Sequence, residues 1–183
     1  MDYNRIIDKY YPAGSTLRDI YMSHCRSVAR LAIDINRRMG TPLDPAVVEA
    51  AAMLHDIGIC LCSAPSIECR GELPYIAHGT AGAELLRREG AGEDMARVAE
   101  RHTGAGLTAA EITAQRLPIP PRDMLPETQL ERLVCYADKF YSKSGDMRRK
   151  TFDKVRESMA RHGEESLRRF DSLAAEFGKI TDE

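Results

Sequence analysis

The chain has 183 residues, 43% hydrophobic and 30% charged, which is the composition of an ordinary globular protein with a core of its own. Its 26 basic and 28 acidic residues nearly cancel, to a net charge of −2. That balance predicts no nucleic-acid and no membrane partner. No window approaches the roughly 18 apolar residues of a membrane span, and "MDYNRIIDKYYPAG" lacks the apolar stretch of a signal peptide, so a cytoplasmic location is expected.

In chain order, helical spacing of Leu17, Ile20, Val28, Leu31 and Ile35 predicts a helix over 15–39, closed by Gly40. Asp44 is a natural cap for the next helix and Pro45 suits its first position. That helix runs through "AVVEAAAMLHD", and Gly58 is expected to relax the backbone at its exit. A polar, proline-containing loop follows over 63–74. "AHGTAGAELLRRE", "EDMARVAERH" and "TAAEITAQRL" read as three further helices, and the four prolines of "LPIPPRDMLPET" then forbid one. "QLERLVCYADKFYSK" is strongly helical, the chain is expected to turn near Gly145, and one or two helices occupy 148–178. With no sustained strand alternation, the prediction is an all-α fold in a single domain. The cysteines of "CLCSAPSIEC" lack paired C-x₂-C spacing, so they are expected to be buried or incidental thiols rather than a zinc site.

Four of the five histidines fall where helical periodicity points inward. His24 shares a stripe with Ile20, Val28 and Leu31. His55 shares one with Val48 and Ala51, His78 with Ala81 and Leu85, and His102 with Met95, Val98 and Ala99. Asp138 lies on the apolar face of its own helix, eight residues after Leu130 and four after Val134. One buried imidazole is commonplace, but four imidazoles and a carboxylate need compensation. A divalent cation provides it, taking neutral imidazoles and the charges of Asp56 and Asp138 together. The adjacent His55 and Asp56 can both reach an ion beside the end of their helix.

The order His24, His55-Asp56-Ile57-Gly58, Asp138 resembles the signature of the HD-domain metal-dependent phosphohydrolases, an all-helical family. The resemblance implies a domain of HD type over 1–183, with a metal-binding core over 17–143 and a helical extension over 144–183. It implies metal ligands His24, His55, Asp56 and Asp138. His78 and His102 stand where two-metal members hold a second ion, which is closest to the small branch that includes symmetrical dinucleoside polyphosphate hydrolases. "RHTGAG" lacks the second histidine of the cyclic-di-GMP branch, and "ICLCSAP" lacks the acidic pair of the guanosine tetraphosphate hydrolases.

The implied cofactor is one or two divalent ions, of iron, manganese, nickel or zinc. The implied catalytic groups are Asp56, Asp138, His78 and His102, and the implied substrate is a small nucleotide cleaved at a phosphate ester or anhydride. A nucleotide phosphomonoesterase and a non-enzymatic signalling or binding module are the alternatives. Arg101, Lys139, Lys143, Arg148 and Arg149 are the candidate phosphate contacts. Tyr136, Phe140 and Tyr141 are candidates to line a base pocket or to pack the core, and His162 is expected in solvent. Oligomeric state leaves no trace in the pattern.

Overall fold

The computed structural model describes residues 1–143 and 147–180. The turn expected near Gly145 therefore lies outside the described residues. Among the described residues the regular structure is almost all helical, as the periodicity predicts. Helix α2 (Thr16–Arg37) opens on a Ser15 side chain that accepts from the Arg18 N–H, and α3 (Pro45–Leu54) opens on Asp44 with proline at the first position. Between them, the buried Asn36 amide closes the loop by bonding both the N–H and the C=O of Leu43 at 2.8 Å. Helices α4 (His78–Arg88) and α5 (Glu93–Arg101) form a tight pair, and α6 (Ala109–Ala114) starts with a reciprocal capping box of Thr108 and Glu111. Helix α7 (Gln129–Asp138) packs against α2, α3 and α5.

Two regions differ from the sequence expectation. The N-terminal segment forms α1 (Tyr3–Tyr10), an amphipathic helix that buries Ile6 and Ile7 against α3. The polar loop carries a small antiparallel pair, β1 (Ser63–Ala64) with β2 (Cys69–Arg70), between short 3-10 turns. The last segment is an antiparallel pair, α8 (Phe152–Arg161) and α9 (Glu164–Phe177), with α9 against α7. Tyr136 and Phe140 are fully buried there against Phe170, and Tyr136 also against Phe177, so they pack the core and line no base pocket. The main apolar cluster draws on residues from Ile6 to Ile180, and a small second one joins Ile59, Ile67 and Cys69. Among the described residues no helix is long and apolar enough to cross a membrane.

Gly58 acts differently from the expectation. It lies outside the set of glycines with positive φ, so its backbone needs no special freedom. It is needed because α4 crosses directly above it: a Cβ there would stand 2.2 Å from the His78 carbonyl oxygen and 2.4 Å from the Gly82 nitrogen. Both obstacles are backbone and cannot swing aside. Gly58→Ala is therefore expected to lower stability by about 3 kcal/mol or more, read as a fall in melting temperature. An unchanged melting temperature would refute the contact.

Candidate metal centre

Helix ends build this site. His55 caps the C-terminus of α3, and Asp56 begins the 3-10 turn Ile57–Leu61. His78 is the first residue of α4, His102 caps the C-terminus of α5, and Asp138 is the last residue of α7. His24 alone comes from mid-helix, on the buried face of α2. All six side chains are buried, Asp56 completely.

Their donor atoms form two groups, His24–His55–Asp56–Asp138 and Asp56–His78–His102, each with atoms within 4.8 Å of one another. Asp56 belongs to both, through different oxygens. Its Oδ2 lies 3.1 Å from His24 Nε2 and 3.2 Å from His55 Nε2. Its Oδ1 lies 3.5 Å from His78 Nε2 and 3.3 Å from His102 Nε2. Asp138 Oδ1 completes the first group, 3.1 Å from His24 Nε2.

The protonation pattern follows from the other ring nitrogens. His55 Nδ1 lies 2.7 Å from the Ala52 carbonyl, His78 Nδ1 2.7 Å from that of Tyr75, and His102 Nδ1 2.8 Å from that of Ala99. A carbonyl only accepts, so Nδ1 holds the proton in each ring and a neutral ring presents its Nε2 lone pair to the centre. These lone pairs face one another: His78 and His102 Nε2 are 3.0 Å apart, and His24 and His55 Nε2 are 3.4 Å apart. Converging lone pairs and two carboxylates repel unless positive charge stands between them. Consistent with that, neither Asp56 oxygen accepts an aligned hydrogen bond, and His24 Nδ1 has no partner. Each of the two groups has the mixed imidazole and carboxylate donors that fit a divalent metal ion.

Charge around the centre is finely opposed. Burial would raise the carboxyl of Asp56, but Lys143 and His55 outweigh it and hold the group well below the usual carboxylate range. Asp138 behaves likewise, with Lys139 and Lys143 outweighing burial. Burial pushes His78 down to about 3, helped by His102, and burial also lowers His102. Burial lowers His55 too, but Asp56 and Asp138 outweigh it and leave the ring well above its ordinary value. A proton and a cation therefore compete for the same side of His55.

Beside the centre is a cleft of about 880 Å³, which the buried His78, His102 and Asp138 line. Lys143 lines it, with Nζ 2.7 Å from Asp56 Oδ2 as an ion pair. Lys139 lines it too, bonded to the His102 carbonyl and to Asp138 Oδ2, each at 2.8 Å. Tyr141 is on the wall, as is the exposed His162. The expectation for Arg101 does not match its placement. Its guanidinium reaches away from the cleft to the Leu125 carbonyl and to Glu127 and Glu131, because one residue back from His102 turns the side chain toward the start of α7. Arg148 and Arg149 are not among the described residues that line the cleft.

Several groups on the wall carried no signal in their spacing. The Tyr75 ring lies tilted against that of His78, centroids 4.9 Å apart, its hydroxyl pushed up to about 12 by burial although Lys143 opposes the shift. Arg169 on α9 bonds the carbonyls of Ala105 and Gly106 and the Glu111 carboxylate, which clasps the C-terminal pair to the glycine turn after His102. Gly104 and Gly106 have positive φ, so "HTGAG" makes a tight turn beside His102. Tyr11, just after α1, donates to the Ile57 carbonyl and accepts from the Cys60 N–H, each at 3.1 Å, bracing the backbone beside Asp56. The five cysteines are free thiols, and none belongs to either ligand group.

The family model of the HD domain matches residues 21–142, well over half of the chain. The chain is an HD-domain protein. Within 21–142 fall all six ligand candidates of this HD domain, while α1, α8 and α9 lie outside the match. Two curated relatives are named tRNA (cytidine(56)-2'-O)-methyltransferase. That of Thermoplasma volcanium is 35% identical over 81% of this chain and 38% of its own length, and that of Picrophilus torridus 37% identical over 68% and 32%. The HD-domain chain thus spans about a third of the length of these relatives. An uncharacterized protein of Methanocaldococcus jannaschii is 38% identical over 64% of the chain and 63% of its own length. No solved structure matches.

Proposed function

We propose that this HD-domain protein is a metal-dependent phosphohydrolase that cleaves a phosphate ester or anhydride in a small nucleotide. One observation carries the reading: two histidine-rich groups share the two oxygens of one fully buried carboxylate, Asp56, beside a cleft that His78, His102 and Asp138 line. Divalent ions held there would supply Lewis-acid charge beside a phosphoryl group and lower the pKa of a water between them. The chain's own residues do the rest. Lys143 and Lys139 hold the phosphate from the cleft side, and the neutral carbonyl-locked rings of His78 and His102 keep one face of the site free of protons. Asp138, with one oxygen toward the first group and the other on Lys139, is placed to orient the attacking water.

A symmetrical dinucleoside polyphosphate is the leading substrate, and a nucleoside monophosphate is the alternative. The names of the Thermoplasma volcanium and Picrophilus torridus relatives support a second reading, in which the domain binds or acts on a tRNA. A panel of diadenosine tetraphosphate, nucleoside monophosphates and tRNA, assayed with iron, manganese, nickel and zinc, separates these. Release of two nucleoside diphosphates selects the first, orthophosphate the second, and tight tRNA binding without nucleotide turnover the third. No hydrolysis with any metal would return the chain to a non-enzymatic binding module.

Lys143 gives a sharper test. Lys143→Ala is expected to leave the metal content unchanged and to weaken nucleotide binding about tenfold, the scale of a charge-assisted hydrogen bond. Calorimetric titration alongside elemental analysis reads both. Metal loss with unchanged nucleotide affinity would make Lys143 a mere counter-charge to Asp56.

A further inference from the structure

The cleft extends beyond the metal centre, and its far wall is made by α8 and α9, which lie outside the family match. The cations lining it are not equivalent. Lys139 is paired with Asp138, Lys143 with Asp56 and Arg169 with Glu111. Lys150 also lines the cleft, yet no carboxylate among the described residues lies within ion-pair distance of its ammonium. Its position is fixed by backbone: the Lys150 N–H donates to the Phe140 carbonyl at 2.8 Å, which brings the returning chain back beside the end of α7. The ammonium is half-buried, and burial lowers its pKa, with Lys139 and Lys143 lowering it further against the pull of Asp138. Three lysines thus line one cleft, and among the described residues only two have a carboxylate within ion-pair distance. Ser158 of α8 and His162, which caps its C-terminus, also line the cleft, and both can donate to an oxyanion.

We infer that Lys150 and the α8 wall form a second anion subsite, which receives a phosphate remote from the one held at the metal centre. The inference rests on the phosphohydrolase reading and narrows its substrate: the cleft selects a phosphate chain over a single phosphate. A partly desolvated cation without a counter-charge gains more from an incoming anion than a solvated surface lysine does, and a lysine binds phosphate as a point charge without needing a fixed geometry.

Inert probes test this on the metal-loaded protein, with metal content checked after each titration. Wild-type protein is expected to bind methylenediphosphonate more tightly than methylphosphonate. Lys150→Ala should weaken methylenediphosphonate about tenfold and methylphosphonate by less than about twofold, and Lys150→Arg should restore most of the loss. α,β-Methylene-ADP should follow methylenediphosphonate if the subsite takes a nucleotide's phosphate chain, whereas an effect confined to methylenediphosphonate assigns the subsite to base-free polyphosphate. Equal weakening of both phosphonates, or of neither, overturns the subsite. If the selective loss holds while every nucleotide in the activity panel survives intact, the hydrolytic reading fails and the subsite stands. If hydrolysis is found without the selective loss, the reverse is true.

Discussion

Asp56→Asn is expected to empty both ligand groups at once. The amide is uncharged and offers one oxygen where the carboxylate offers two, so it cannot face His24 and His55 with Oδ2 while facing His78 and His102 with Oδ1. Loss of a mere supporting group beside a metal costs about 10–100-fold in affinity, so loss of this shared ligand should exceed about 100-fold, with turnover falling at least as far. The helices should persist, because Asp56 contributes no cap hydrogen bond. Elemental analysis and far-ultraviolet circular dichroism read the two halves of the expectation. A well-folded Asp56→Asn variant that keeps its metal would remove the bridging role.

His102→Ala should act on one group only. It takes away one of three ligands from Asp56–His78–His102 and leaves His24–His55–Asp56–Asp138 intact. Metal content is expected to fall from about two ions per chain toward about one, and kcat by about 100-fold or more, as for loss of one charge-stabilising contact. His78→Ala should give the same stoichiometry. Full metal content in both variants would leave these histidines as phosphate contacts or proton carriers. The size of the drop also separates one working ion from two.

The clustering of the candidate ligands was more legible in the sequence than their surroundings, for a physical reason. His24, His55, His78, His102 and Asp138 each break an apolar stripe, and a costly residue at a core position is visible in one dimension. All-helical architecture was equally plain from periodicity and caps. Arg101 and Lys139 looked alike, each next to a ligand, but one step along a helix turns a side chain by about 100°. That step carries Arg101 to Glu127 and Glu131 and leaves Lys139 at the cleft. Lys150 stood one residue from the arginines that drew notice, and its position depends on a backbone bond to Phe140 that no spacing encodes. Gly58 was singled out for flexibility and serves clearance instead, since the helix that crosses it is twenty residues away in sequence. Helix α1 and the bracing hydroxyl of Tyr11 were missed because eight residues that bury only Ile6 and Ile7 are too short a run to stand out, amphipathic though they are.

The carbonyls that fix His55, His78 and His102 each belong to the residue three positions earlier in the same stretch of chain. Ring and lock therefore form a four-residue cassette, and the lock is main chain, which any amino acid supplies. Ala52 and Ala99 can change identity without unfastening the tautomer as long as the local turn persists. Lengthening the connections between these stretches would alter where the rings meet but not which nitrogen each one offers. Such a donor is portable: written onto another helix end, it would arrive with its proton already on the right atom.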